Sequence, residues 1–331
     1  MYIDDLKNVV KSCSTGSFAD DTKMQGKVDA AEDTATIQED LDSVIAWSSK
    51  NNMSLHEDKF IYLRYSTAKS SLLNELPFTA EYSEYTTTSG HLLKPSEVAR
   101  DLGVQLSSNY SWTYHIGEMV RCSRNIASWV LGVFRNRSSF IMLQLYKSLV
   151  RCRVEYCCPL WNPLKVESIQ QIEDIQRYFT RRIAGLQNIN YWERLFKLKL
   201  LSLQRRRERY MIIHVWKILN NLAPNDINMG FNENKRLGTK VKIPAFSKTA
   251  PSSVVRLYDE SFAVHSGKLW NILPKEVTEV KTLDGFKVLL GKFLFQYPDE
   301  PPTKGYSARN RNSLIDWNLQ SGGLQLAQRP S

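Results

Sequence analysis

Phe18-Ala19-Asp20-Asp21 is the sharpest concentration of chemistry in this sequence. Two adjacent carboxylates at a tight turn, with short extended arms on either side over Ser17 to Met24, can offer oxygen ligands to a hard divalent cation. Mg2+ takes one or two carboxylates and completes its octahedron with water and substrate phosphates. A pair of such ions activates an attacking hydroxyl and stabilises a departing pyrophosphate, which is the chemistry of nucleotidyl transfer. Standing alone, an Asp-Asp pair is far more often plain turn chemistry. A second aromatic-x-Asp-Asp pattern, Tyr2 to Asp5, runs into the helix-like Leu6 to Val10 instead of a returning strand, and a structural role is expected for it.

The other candidate chemistry is cationic. The chain carries 44 Lys+Arg against 34 Asp+Glu, a formal charge of +10, and the excess is local. Met1 to Phe60 holds six lysines against twelve carboxylates, whereas Arg121 to Asn220 sums to +13. An acidic front beside a strongly basic middle suggests a polyanion-binding surface next to a carboxylate-bearing site. On helical spacing Arg121 and Arg124 fall outward with Asn125 and Ser128, and Arg177 and Arg181 lie one turn apart. Arg182 and the run Arg205-Arg206-Arg207 extend the set, the run reading equally as a nuclear address or as the solvated face of a helix.

Several classes are excluded. Five scattered cysteines and five scattered histidines give no zinc spacing and fit a reduced compartment. No Gly-rich phosphate loop appears, so no small-molecule cofactor is expected. No run approaches the ~20 apolar residues that cross a bilayer, and the acidic N-terminus is unlike a signal peptide. An intracellular protein of nucleus or cytoplasm, with no membrane partner, is expected; oligomeric state is not legible.

The elements that must position these residues read as α+β. Lys7 to Lys11 suits a short helix. The apolar spacing over Thr36 to Asn51 predicts a helix, with Thr34 or Thr36 as cap. Phe60 to Tyr65 predicts a strand, and Tyr82 to Leu93 with Val98 to Leu106 a hairpin around Lys94-Pro95-Ser96. The chain then turns helical: Trp112 to Phe134, Ser139 to Arg151, Val166 to Ala184 with Gly185 as C-cap, Trp192 to Lys199, and Leu203 to Asn220. From Asn221 it is loop-rich, with one apolar island over Phe262 to Leu294, and beyond Tyr297 the Pro-rich run predicts an extended, weakly ordered end. Three regions result: 1–110, 111–222 and 223–331.

These blocks also carry a resemblance. Phe18 to Lys23, Gln38 to Asp42, Trp47, Asn51 to Leu55 and Asp58-Lys59 follow one another at fixed distances. Arg100 to Leu106, Ser111-Trp112, His115-Ile116, Tyr146 to Arg151, Glu155 to Cys157, Trp161 to Pro163, Ile175 to Arg177, Phe179 to Ile183, Leu269 to Pro274 and Asn310 to Trp317 continue the series. Together they closely resemble the reverse transcriptases of jockey-like, non-long-terminal-repeat (LINE-type) retrotransposons, over nearly the whole chain. The resemblance implies a partial polymerase palm (a small antiparallel sheet plus a helix) over 1–110, a basic, mainly α-helical thumb and connection over 111–222, and a loop-rich C-terminal region over 223–331.

Carried across by position, Phe18 to Asp21 matches the family's third polymerase motif, making Asp20 the principal metal ligand with Asp21 beside it. Lys59 falls in the fourth motif, where a lysine can protonate the leaving pyrophosphate, although the residue alone reads as an ordinary surface lysine. Leu102 to Leu106 would lie near the primer grip. Arg121, Arg124, Arg177, Arg181, Arg182 and Arg205 would track an RNA template paired to a DNA primer by phosphate contacts. The cofactor implied is Mg2+, with Mn2+ as its substitute, in the intact parent site only. The family's other palm aspartate, its fingers and its endonuclease precede Met1 in family order. The chain is therefore expected to be a C-terminal palm and thumb fragment, inactive alone, with a mobile front and a stable helical unit. Two other readings stay open: a non-enzymatic module binding RNA or RNA–DNA hybrid through its basic helices, and a functionless remnant.

Overall fold

Leu41 and Ile45, one turn apart on the helix α1 (Ala31–Lys50), face inward and seed a small core with Tyr85 and Leu93. The structure, a computed structural model, describes residues 5–19, 21–53, 55–65, 85–233, 238–246, 252–297, 299 and 312–320. It is a mixed α+β chain, mainly helical with small sheets. It divides into two compact units, Met1–Ser111 and Trp112–Ser331.

In the first unit, β1 (Ser14–Phe18) and β2 (Asp21–Gln25) form an antiparallel hairpin closed by the pair Phe18↔Asp21. The hairpin is anchored to α1. Asp40, 3% exposed, accepts from the backbone N–H groups of Lys11, Ser12 and Cys13 at 2.9, 2.9 and 2.7 Å. Burial opposes the charge on Asp40, but these three donors outweigh it and hold the carboxyl below its usual range. At the other end Gly26 lets the chain pass Ile37, where an added Cβ would meet that side chain at 2.6 Å. Gln38 works as a surrogate strand residue: its amide donates to the Thr86 carbonyl at 2.8 Å and accepts from the Thr86 N–H at 2.9 Å.

The remaining strands are short. β3 (Tyr62–Leu63) pairs in parallel with β6 (Pro95–Ser96), β4 (Tyr85–Thr86) pairs antiparallel with β5 (Leu92–Leu93), and β7 (Val98–Asp101) with β8 (Val104–Ser107). The expected single hairpin around Lys94-Pro95-Ser96 is thus two hairpins. Leu102 and Gly103 have φ of 45° and 85°, the left-handed pair of a tight two-residue turn, which breaks the run that alternation read as one strand. The segment over Lys7 to Lys11 is only a 3-10 turn, Leu6–Asn8. Helix α1 starts well before Thr36, because the Asp33 carboxylate accepts from the N–H groups of Asp29 and Ala30; Thr34 and Thr36 lie inside the helix and do not cap it.

The second unit begins with α2 (Thr113–Val133). A helix over Ser139 to Glu155 follows, regular as α3 (Ser139–Leu145), widened to a π turn over Tyr146–Arg151, and regular again as α4 (Cys152–Glu155). Next come α5 (Cys158–Trp161), α6 (Val166–Thr180), α7 (Tyr191–Lys197) and α8 (Leu203–Leu219), then α9 (Ser252–Glu260), α10 (Phe262–Trp270), α11 (Lys275–Thr278), α12 (Leu283–Gln296) and α13 (Leu314–Gln320). The π turn lets both Tyr146 and Val150 reach the interior, and each is fully buried. The helix expected to run to Ala184 ends at Thr180 with Arg181 as its cap residue, so Gly185, at φ 78°, turns the loop beyond it and is not the C-cap.

One hydrophobic core joins α2, α3, α5, α6 and α7 around Trp161, Ile172, Ile175 and Phe179. A second joins α8, α10, α12 and α13, where Trp216 and Trp270 stack on Phe286 at 5.6 and 5.9 Å. The expected weakly ordered end lies mostly outside the described residues, which beyond Tyr297 are 299 and 312–320. Asp299 accepts from the Ser202 N–H and hydroxyl and from the Asn312 amide, and α13 buries Leu314 in the second core. Among the described residues no helix is long and apolar enough to cross a membrane.

Candidate functional site

The β1–β2 hairpin presents Ala19 at φ 55°, and Asp21 opens β2 on an exposed position opposite Phe18, itself 65% exposed. Asp20 lies outside the described residues. Lys59 is exposed at the end of a single 3-10 turn, Glu57–Lys59. Among the described residues no group of three or more His, Cys, Asp or Glu side chains is arranged to hold a metal ion. The described hairpin thus supplies one carboxylate, Asp21, toward the expected cation site.

The arginines give a much fuller picture. Arg124 on α2, Arg177 on α6, Arg181 and Arg182 just after α6, and Arg194 on α7 line a single cleft of about 1000 Å3. One carboxylate, Asp174, stands among them and pairs with Arg177 at 3.2 Å. The cleft is built by short-range geometry. Three residues separate Arg177 from Arg181 within one helical turn, and Ser128 Oγ lies 3.1 Å from the Tyr178 hydroxyl, joining α2 to α6. The far wall is set by Asn190, which caps α7 by accepting from the Trp192 N–H at 3.0 Å.

Within the cleft the aromatic rings hold the guanidinium groups in place. Arg182 lies over the Tyr178 ring at 3.7 Å, and Arg177 over Tyr191 at 4.7 Å and Trp192 at 5.6 Å. Arg194 is 5% exposed. It donates to the carbonyls of Ile189 at 2.8 Å and Arg177 at 3.4 Å, and its Nε has no hydrogen-bond partner. Burial lowers its pKa; Tyr191 opposes that, while Arg181 and Arg177 lower it further. A buried guanidinium flanked by two like charges is stabilised by any anion that enters. Arg194 is the member of this set that sequence reasoning missed. Its only signal was its place one turn after the Asn190 cap.

One of the expected contacts is corrected. Arg205 is fully buried, beside Glu208 at 3.8 Å and with an Nη 3.5 Å from the Asn312 carbonyl, so it cannot touch a phosphate outside. The whole Arg205 to Arg207 run is turned inward because α8 packs against both cores. Arg206 forms a two-point pair with Glu155, and Arg207 donates to Asn162 at 2.9 Å. Three carboxylates of the basic segment, Glu155, Glu173 and Glu208, are therefore enclosed with these arginines, and the +13 tally mixes interior with surface charge. Arg121 is exposed on α2, pairs with Glu118 at 2.7 Å, and is not part of the cleft lining. Arg124, Arg177, Arg181 and Arg182 are brought together.

Comparison of the chain with protein-family models, with curated proteins and with solved structures finds no match.

Proposed function

We propose that this chain is part of a non-long-terminal-repeat retrotransposon reverse transcriptase and that its own contribution is to bind nucleic acid through the arginine cleft. The observation that carries the binding role is the gathering of five arginines against one carboxylate in one concave site. Phosphates are the abundant intracellular anions that repay such a concentration, since each neutralised phosphate releases condensed counterions. Contacts of this kind fix position without reading sequence, which suits a polymerase thumb that must hold any RNA template and DNA primer.

Nucleotidyl transfer belongs, on this reading, to the intact parent. There Asp20 and Asp21 would hold Mg2+ or Mn2+, which supplies nucleophile activation and charge stabilisation. The described residues do not complete that donor set, so no catalytic step is assigned to this chain alone, nor to Lys59. The palm and thumb assignments rest on the resemblance of sequence blocks, and the binding role rests on the cleft.

The test is binding of an RNA–DNA hybrid or RNA strand by the full chain between 50 and 200 mM salt. Affinity should fall steeply with salt, and Arg181→Gln should weaken binding uniformly across sequences and reduce the salt slope by about one. Salt-independent binding, or an unchanged slope in the variant, would remove the role given to the cleft. Primer extension with Mg2+ is expected to show no synthesis by this chain, with or without Asp20→Ala.

A further inference from the structure

We infer that the arginine cleft takes a single strand of nucleic acid in preference to a duplex, with one unstacked base laid on the Arg182–Tyr178 pair. This rests on the reading of the cleft as a nucleic-acid site and names the kind of strand that fits it.

Shape is the first argument. The cleft, about 1000 Å3, is an open concavity with walls from α2, the end of α6 and the loop leading to α7. A duplex is stiff over ~150 bp. Its phosphates follow the exposed Arg124, Arg181 and Arg182, whereas Arg194, 5% exposed, lies deeper. A single strand bends within a few bonds and can turn successive phosphates toward Arg124, Arg181 and Arg194 together.

The stacked pair is the second argument. Arg182 is held flat over Tyr178 at 3.7 Å and is tied there by donating from Nη1 to the Tyr178 carbonyl at 2.8 Å. One face of the guanidinium is covered by the ring and the side chain is otherwise exposed. A planar cation fixed in this way is a stacking platform, because nucleobases stack on arginine planes as they do on aromatic rings. A base inside a duplex, stacked on both faces, cannot use it. Tyr191 is already overlaid by Arg177, and Arg194 lies 5.5 Å from its centroid. The base position is therefore assigned to the Arg182 side. The platform has no hydrogen-bonding edge in common with a particular base, so the strand is held without regard to sequence.

The experiment is fluorescence anisotropy with the full chain and three labelled probes of about twelve nucleotides, within the usual site sizes for such binders. The probes are an unstructured oligouridine strand, a blunt RNA–DNA hybrid of the same length, and a strand of equal charge with abasic positions at its centre. The strand should bind about tenfold more tightly than the hybrid, and the abasic strand about fivefold more weakly than the intact one. Arg182→Lys, which keeps the charge and loses the plane, should cost about fivefold on the strand and markedly less on the hybrid. Equal or tighter binding of the hybrid overturns the inference while leaving the nucleic-acid reading intact. So does an abasic strand that binds like the intact one, a comparison that needs no variant. Binding of none of the three overturns the nucleic-acid reading itself.

Discussion

The Glu173 carboxylate, on α6, accepts from the backbone N–H of Leu203 at 3.0 Å, thirty residues further along the chain, and from that of Gln204 at 3.3 Å. It thereby satisfies the free donors at the start of α8. The same carboxylate takes the Tyr191 hydroxyl, and Gln176 bridges Tyr191 to the Leu201 carbonyl. One buried acid thus fixes the helix carrying the inward arginines and the tyrosine on which Arg177 rests. Burial raises its pKa, while Tyr191 and Arg207 favour its charge.

Removing that acid should be costly. Glu173→Ala leaves the Tyr191 hydroxyl and the Leu203 and Gln204 N–H groups without their carboxylate acceptor, and a buried donor stranded in this way costs about 1–3 kcal/mol. Urea denaturation of the second unit should show a midpoint shift of that size, with Glu173→Gln intermediate because an amide oxygen still accepts from Leu203. A variant as stable as the parent would show that the network does not support the fold.

The two classes of arginine should separate cleanly. Arg206→Met loses the pair with Glu155 and should destabilise by about 2 kcal/mol while leaving nucleic-acid affinity and its salt slope unchanged. Arg181→Gln, on an exposed residue of the cleft, should do the reverse. Denaturation and salt-titrated binding on both variants check this. A weakened salt slope in Arg206→Met would mean that α8 reaches the ligand.

The element types were legible because helical periodicity is strong here. Ile169, Ile172 and Phe179 on α6 and Ile116, Met119 and Val130 on α2 face inward as their spacing dictates. Facing was not legible for α8. Arg206 meets Glu155 of α4 and Arg207 feels Glu173 of α6, and pairing over such separations leaves no mark in a local window, while Arg205 is interior beside Glu208 of its own helix. The strands failed for a different reason. Leu102-Gly103 reads as a continuation of alternation until the positive φ values show a turn. Of the cleft, the α6 arginines could be read from one turn of helix. Arg194 could not, since its place depends on where the loop before α7 brings it.

That turn yields a stability prediction for the first unit. Gly103→Ala places a Cβ at φ 85°, which should cost about 1 kcal/mol or more, whereas Gly132→Ala, at an exposed position in the last turn of α2, should be neutral or slightly stabilising. Hydrogen exchange of the Ala99 and Leu106 amides should quicken in the first variant and not in the second. Equal exchange in both would place the hairpin register elsewhere.

His115 sets a pH dependence whose sign can be worked through. It is 6% exposed, with its ring 5.3 Å from Trp161 and 6.3 Å from Trp112, and burial lowers its pKa below the usual value near 6.5. His214, half-buried against Phe262, is lowered in the same way, with Lys217 adding to the effect. Between the lowered folded value and about 6.5 the unfolded chain binds more protons than the folded one. Stability is then complete above about pH 6.5 and falls as the pH drops through that window. Glu173 and Glu208, both raised by burial, act with the opposite sign, so the informative quantity is the difference between variant and parent. His115→Gln keeps a polar group without a titrating one, and its denaturation midpoint should fall less steeply from pH 7 to pH 5 than the parent's. A variant with the parent's slope would show that His115 is protonated inside the folded unit and is not held neutral by the two tryptophans.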